Sequence, residues 1–461
     1  MDAPKQALTA FIDVMHPVAL LLSIVFITYV VLISVPYVRH APRPPGDARD
    51  FAWHLFVPCR DEEAVIGATI AHLRAGFPHA HVWVIDDASV DGTARTVRSV
   101  AEADSRVHLV SRRLPEARTG KGGALNAAYR ALDRWLPADT DRSRVIVGVI
   151  DADGRPAVDC LDMCAADHLF GNPEVSSVQV IVRMVNRDNA RPFPRRGRLV
   201  NALGQALVRM QDLEFRVPIS AIQLTRRHTR TVALGGNGQF TRLRALDTVR
   251  RQYGQPWGGS LLEDYELSVH LLLTGHRTAY TPDTYVDQEG LPSLRRLITQ
   301  RTRWGQGTMQ CCRYLPRLWN CRHLPKAGKL EVGYFLLAPW IQLFGTFAFL
   351  APLGILACDA ANPGVSPAAA PAWSTGGGLV LYMLLGMTPL ATWGPLYIWR
   401  CEPATGLRGA IGYGLAYAVY IVVLFYVTSW RAFFRILRGR STWSKTRRNA
   451  EAHQGTAAVE T

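Results

Sequence analysis

Short apolar runs alternate with helical patterns along the first half of the chain, and long apolar blocks fill much of the second. Between Trp53 and about Val182 the runs HLFVPC, VWVIDD, VHLV and VIVGVID predict strands, and the stretches opening at Glu63, Gly92 and Gly122 predict helices between them. Strands alternating with helices predict an α/β domain whose mainly parallel sheet is covered on both faces. Ligands on such sheets gather at the carboxyl ends of strands, which here carry Asp86–Asp87 and Asp151–Asp153. Further on, Leu261 to Arg277 has the pattern of an amphipathic helix opening on Glu263 and Asp264. Arg195 to Arg230 and Leu291 to Tyr314 mix amphipathic helix with arginine clusters, a pattern of helices lying flat on a membrane interface and equally of solvated helix faces.

Four apolar blocks are long enough to cross a bilayer as helices: Val18 to Val38, Val332 to Ala357, Gly378 to Trp399 and Ala410 to Trp430. A signal peptide competes for the first, but no positive segment precedes it and no small-residue cleavage site follows. The divisions expected are an N-terminal segment with a transmembrane helix (1–38), a Pro- and Arg-rich linker (39–52), a cytosolic α/β domain (53–325), a transmembrane region (326–430) and a basic tail (431–461) with a disordered end.

Charge refines this picture. The formal net charge is +15, and its arginines and lysines flank the apolar blocks, as in Arg39, Arg43 and Arg49 and in Arg431 to Arg448. That placement favours anionic lipid headgroups and a domain on the cytosolic side. No basic, aromatic-interleaved module for nucleic acid is present. Three full spans after the domain would leave the tail outside, whereas its basic residues place it inside. The expectation is a cytosolic tail, with one of the proline-containing blocks, Val332 to Ala357 or Gly378 to Trp399, at the interface or doubling back. The eight cysteines form no CxxC pair, and Cys160 and Cys164, one helical turn apart, suit a buried helix face.

Five constellations carry chemistry. VPCRDEE, containing Cys59 and Glu62, and VIDDASVDGT, containing Asp86 and Asp87, each run from strand through polar turn to helix, where a carboxylate can meet a nucleoside; Asp91, Gly92 and Thr93 serve equally as turn and cap. In GKGGALN, Lys121 precedes a helix and can reach a diphosphate, although a Walker loop is excluded by the glycine spacing. IDADG places Asp151 and Asp153 where they can share a divalent cation with phosphate oxygens, or form a plain surface turn. LLEDYEL carries Glu263 and Asp264, for which a helix N-terminus alone is sufficient reason. In LITQRTRWGQG, Gln300, Arg303 and Trp304 lie within roughly one helical turn and can line one pocket.

In this order, with GGNGQF between the third and fourth, the motifs resemble those of family 2 inverting glycosyltransferases, especially the cellulose, hyaluronan and chitin synthases; the resemblance runs from about Val57 to Gly307. It implies a GT-A (Rossmann-like) fold, a nucleotide-sugar donor, mostly a UDP-sugar, and Mg²⁺ or Mn²⁺ at the diphosphate. Asp87, together with Asp86, then matches the nucleoside-binding aspartate, with Cys59 where the family often has threonine and Glu62 beside it. Lys121, Asp151 and Arg303 fall at the diphosphate, and Asp151 and Asp153 match the metal-binding DxD. Asp264 matches the catalytic base, and Asn237, Glu263, Gln300 and Trp304 face the acceptor. Residues 443–446 (WSKT) faintly resemble a gating loop of these synthases. The expected product is a β-linked polysaccharide, with transfer of one sugar to a lipid as the alternative. A transporter with a nucleotide-sensing module would need ionisable residues inside its spans, and the apolar blocks hold almost none.

Overall fold

The computed structural model describes residues 3–361 and 385–440. After α1 (Ala3–Val38), the chain alternates β1 (Ala52–Cys59), α2 (Glu63–Gly76), β2 (His81–Asp87), α3 (Thr93–Ala103), β3 (Val107–Arg112), α4 (Lys121–Trp135) and β4 (Val145–Val149). These four strands are parallel, in the order β3-β2-β1-β4. Their period-two pattern divides the core. Leu55 and Val57 face α2 and α3, while Phe56, Val145 and Val147 face α4 on the other side.

The second half of the sheet departs from the mainly parallel expectation. After β5 (Arg155–Pro156), α5 (Cys160–Ala165) and β6 (Val175–Met184), β7 (Gln239–Arg242) runs antiparallel to both β4 and β6. β8 (Arg277–Gln288) then pairs parallel to β6 and antiparallel to β5. Buried polar residues on these strands, Gln179 and Gln239 among them, hide them from hydropathy. Cys160 and Cys164 lie buried on one face of α5, as expected, and the described cysteines are unbridged.

Between β6 and β7, α6 (Arg198–Glu214) passes through a π-helical turn at Phe215–Ile219, which contains Pro218, into α7 (Ser220–Thr229). A proline inside a helix withdraws one donor, and the wider turn accommodates it. α8 (Leu243–Tyr253) and α9 (Glu263–Leu273) follow. α9 is not amphipathic: Glu263 to Leu272 are all buried. Leu267 and Leu271 pack on the sheet, while Tyr265, Val269 and Leu272 pack against α10 (Leu294–Cys311), α11 (Leu315–Trp319) and α12 (Lys326–Ala361). Glu266 is buried with it, accepting from Tyr314 Oη at 2.7 Å and Ser260 N at 2.8 Å and pairing with Arg313.

Among the described residues two helices are long and apolar enough to cross a membrane, Lys326–Phe347 within α12 and Pro403–Leu437; a shorter apolar helix spans Ser23–Val38. Of the third expected block, residues 378–384 lie outside the described part, and the remainder includes a helix at Trp393–Cys401. The last described helix, Gly406–Leu437, touches the α/β domain repeatedly. Glu402, just before it, pairs with Arg187 at 3.2 Å; Tyr420 Oη donates to Glu214 at 2.8 Å; Arg435 Nε donates to Gln306 at 2.8 Å. Gln306 also donates to the Arg440 carbonyl at 2.7 Å, which fixes the end of the described chain beside α10. The tail beyond it, with residues 443–446, lies outside the described residues.

Candidate active site

The carboxyl ends of β1, β2 and β4 open onto one cavity of about 620 Å³. Cys59, Glu62, Asp87, Lys121, Asp151, Asn237, Glu263, Asp264, Gln300, Arg303 and Trp304 all line it. Asp86 and Asp153 stand just behind: Asp86 Oδ1 accepts from Ser89 N at 3.1 Å, and Asp153 Oδ2 from Glu289 N at 3.1 Å. Asp87 accepts from Arg118 N at 3.0 Å and pairs with Arg112 at the end of β3. Asp91 is a cap, with one oxygen accepting from Thr93 N at 3.0 Å and the other from Glu63 N at 3.1 Å.

Lys121 sits at the first position of α4, and its Nζ donates to Asp151 Oδ1 and to the Gly236 carbonyl, each at 2.6 Å. The GGNGQF loop is thereby tied to the DAD turn. Asn237 adds a second tie, accepting from Asp151 N at 3.2 Å and donating to Gln288 at 3.0 Å. Gln179 on β6, which the motifs do not mark, holds the loop from below by accepting from Gly235 N at 2.7 Å and donating to Asn237 O at 2.9 Å. A Cβ at Gly236 would meet Lys121 Nζ at 3.0 Å and Asp264 Oδ2 at 3.1 Å, so only glycine fits between these two groups without pushing them.

Asp264 is buried at the start of α9, and burial followed by the neighbouring Glu263 charge raises its pKa from 3.8 to about 7. Lys121 and the Tyr265 N–H oppose that rise without cancelling it. Burial likewise pushes Glu263 up. For Lys121 burial works downward, but Asp151, Glu263 and Asp264 outweigh it and its pKa is raised. A fixed ammonium thus stands beside a carboxyl poised near neutrality.

On α10, the Arg301 guanidinium lies 4.2 Å from the Trp304 ring centre and donates to Glu214 at 2.6 Å. α10 can approach α9 closely because position 307 is glycine: a Cβ there would lie 2.6 Å from the Leu262 nitrogen. Past Asp264 and Trp304 the cavity wall becomes apolar. It is built by Phe26, Val30 and Ile33 of α1, by Phe335 and Pro339 of α12, and by Ile421 and Leu424 of the last helix.

A half-parallel α/β sheet with carboxylates and a lysine gathered at its strand ends is the arrangement of a GT-A-like fold, in which ligands collect at that edge. Residues 52–307, more than half of the chain, match the profile of Glycosyltransferase like family 2, and the chain belongs to that family of transferases. It is 30% identical over 293 residues to the beta-monoglucosyldiacylglycerol synthase of Synechocystis sp., a match that covers 62% of this chain and 54% of the relative. To the enzyme of the same name from Nostoc sp. it is 29% identical over 268 residues, covering 57% and 49%. The chain thus spans about half the length of these curated relatives. Its fold is similar to that of the mannosyltransferase PcManGT from Pyrobaculum calidifontis, solved with GDP-Man and Mn²⁺, with a TM-score of 0.51 and 21% identity over 90% of this chain and 99% of that one.

Proposed function

We propose that this glycosyltransferase adds a single sugar from a nucleotide-sugar donor to the hydroxyl of a membrane lipid, with inversion at the anomeric carbon. The observation that carries this reading is the cavity, which joins Asp264 and Trp304 to an apolar wall supplied by three apolar helices. A lipid can lay its chains along that wall and present its hydroxyl to Asp264. The relatives named for monoglucosyldiacylglycerol synthesis support the same choice, so lipid glycosylation replaces polysaccharide elongation as the leading reading. Membrane attachment, with the α/β domain on the cytosolic side where nucleotide sugars are found, follows from it.

In the reaction, the Asp264 carboxylate takes the proton of the acceptor hydroxyl, whose oxygen forms the new bond to the donor's anomeric carbon. The bond from that carbon to the diphosphate breaks, and the nucleoside diphosphate leaves with the electron pair. Lys121 and Arg303 would meet the charge that develops on it, and Asp87 and Cys59 would face the nucleoside; all four line the cavity. Asp151 and Asp153 suit a hard divalent cation: two carboxylates on one turn would supply part of an oxygen set that donor phosphates could complete. Among the described residues no group of three or more His, Cys, Asp or Glu side chains could hold an ion alone, which fits shared ligation. Such a cation would neutralise diphosphate charge. Full activity in excess EDTA, or in Asp153→Ala, would count against this assignment; a loss of at least tenfold, restored in the EDTA case by added Mn²⁺ or Mg²⁺, is expected.

The test of the whole reading is product size. Purified protein given a panel of radiolabelled nucleotide sugars and a lipid extract should yield one discrete, solvent-extractable product carrying a single sugar. A water-soluble ladder of lengthening chains would overturn it.

A further inference from the structure

Besides Arg303, the cavity wall carries two arginines whose side chains are largely buried, and a carboxylate stands on each. Arg226 of α7 donates from Nε to Glu331 Oε1 at 2.6 Å, and the other Glu331 oxygen accepts from Thr231 at 2.9 Å. The Arg226 guanidinium also lies 4.8 Å from the Phe335 ring centre, and Phe335 in turn packs 4.6 Å from Tyr265, next to Asp264. A second pair on the cavity wall is Arg301, which donates to Glu214, itself also accepting from Tyr420. Arg226, Glu331, Arg301 and Glu214 all line the cavity.

An uncompensated buried guanidinium would hold a lipid phosphate strongly, because its fork matches phosphate oxygens. With Glu331 and Glu214 in place the attraction is cancelled. A dianionic headgroup brought between them would meet two carboxylates in a medium of low dielectric, where like charges repel far more than in water. Resting on the lipid-acceptor reading above, we infer that the acceptor is an uncharged hydroxyl lipid of the diacylglycerol kind, and that Glu331 and Glu214 set this specificity by cancelling Arg226 and Arg301. Discrimination of this sort comes from making the wrong substrate costly as well as from fitting the right one.

The experiment uses the full chain in neutral phosphatidylcholine–detergent micelles, with dioleoylglycerol as acceptor, dioleoylphosphatidic acid as competitor and undecaprenyl phosphate as the rival acceptor. Wild-type protein should label dioleoylglycerol, leave undecaprenyl phosphate unlabelled and be inhibited weakly by phosphatidic acid. Glu331→Gln should bind phosphatidic acid at least tenfold more tightly relative to its KM for dioleoylglycerol, and Arg226→Gln/Glu331→Gln should return that ratio toward wild type. A salt bridge that only held α7 to α12 would lower kcat without moving the ratio. Should Glu331→Gln fail to fold, Glu214→Gln makes the same measurement at Arg301. The inference is overturned if undecaprenyl phosphate is the better wild-type acceptor, or if the ratio stays unmoved in the folded variant. If wild-type protein labels neither lipid and instead makes polymer, the lipid reading itself fails.

Discussion

Asp264 has two demands on it that pull in opposite directions: a buried helix start favours the neutral acid, and the proton abstraction proposed for it requires the carboxylate. With its pKa raised to about 7, kcat/KM should fall about tenfold per unit as pH drops below that value. Between pH 4 and 7, roughly, the folded protein keeps a proton that the unfolded chain has lost, so this group's contribution makes stability decline as pH rises through that window. Asp264→Asn should therefore cut transfer by about 10²–10⁴-fold with donor affinity largely kept, and should raise the melting temperature at pH 8. Near-normal turnover, or a lower melting temperature, would refute the assignment. Gly236→Ala tests the neighbouring contact: a methyl group pressing on Lys121 and Asp264 should lower kcat more than tenfold in steady-state assays, while circular dichroism stays native. Asp264, Lys121 and Asp151 were legible in the sequence because short motifs carry them. Glu214, Arg226 and Glu331 were not, since Arg226 meets Glu331 across 105 residues and Glu214 meets Tyr420 across 206.

At the scale of elements, the first four strands and their helices could be read directly from alternation, down to the acidic strand ends. The mixed half of the sheet could not, because Gln179 and Gln239 occupy buried positions where a hydropathy pattern expects apolar residues. α9 was misread for the same reason: its polar side chains look solvent-facing in sequence, yet Glu266 and Ser268 are buried and hydrogen-bonded. The approach of α10 to α9 at Gly307 brings Arg303 and Trp304 to the cavity that Asp264 also lines. Gly307→Ala should force the helices apart, costing about 1–3 kcal/mol of stability and reducing transfer severalfold. Denaturant unfolding and a steady-state assay would check both; an unaffected enzyme would mean that α10 tolerates the shift.

For the whole molecule, hydropathy sets a border near residue 326, but the packing does not respect it. The last helix shares a core with α1, α6, the π-turn and α7 through Tyr417, Tyr420, Ile421 and Leu424. Removing residues beyond 325 should strand Glu214 and Arg301 without Tyr420 and uncover that core, so the isolated 53–325 fragment is expected to aggregate or melt at markedly lower temperature. A soluble, fully active fragment would disprove it. The contact between Glu214 and Tyr420 also has a meaning in time. The ribosome adds about 5–20 residues each second, so Glu214 waits about 10–40 s for its partner 206 residues downstream. Trp304, which leans on Arg301 and through it on Glu214, gains its full support only when synthesis is nearly complete. The growing chain is therefore expected to carry its recognisable motifs long before it carries a working catalyst, the proposed transfer waiting until the last helix has docked.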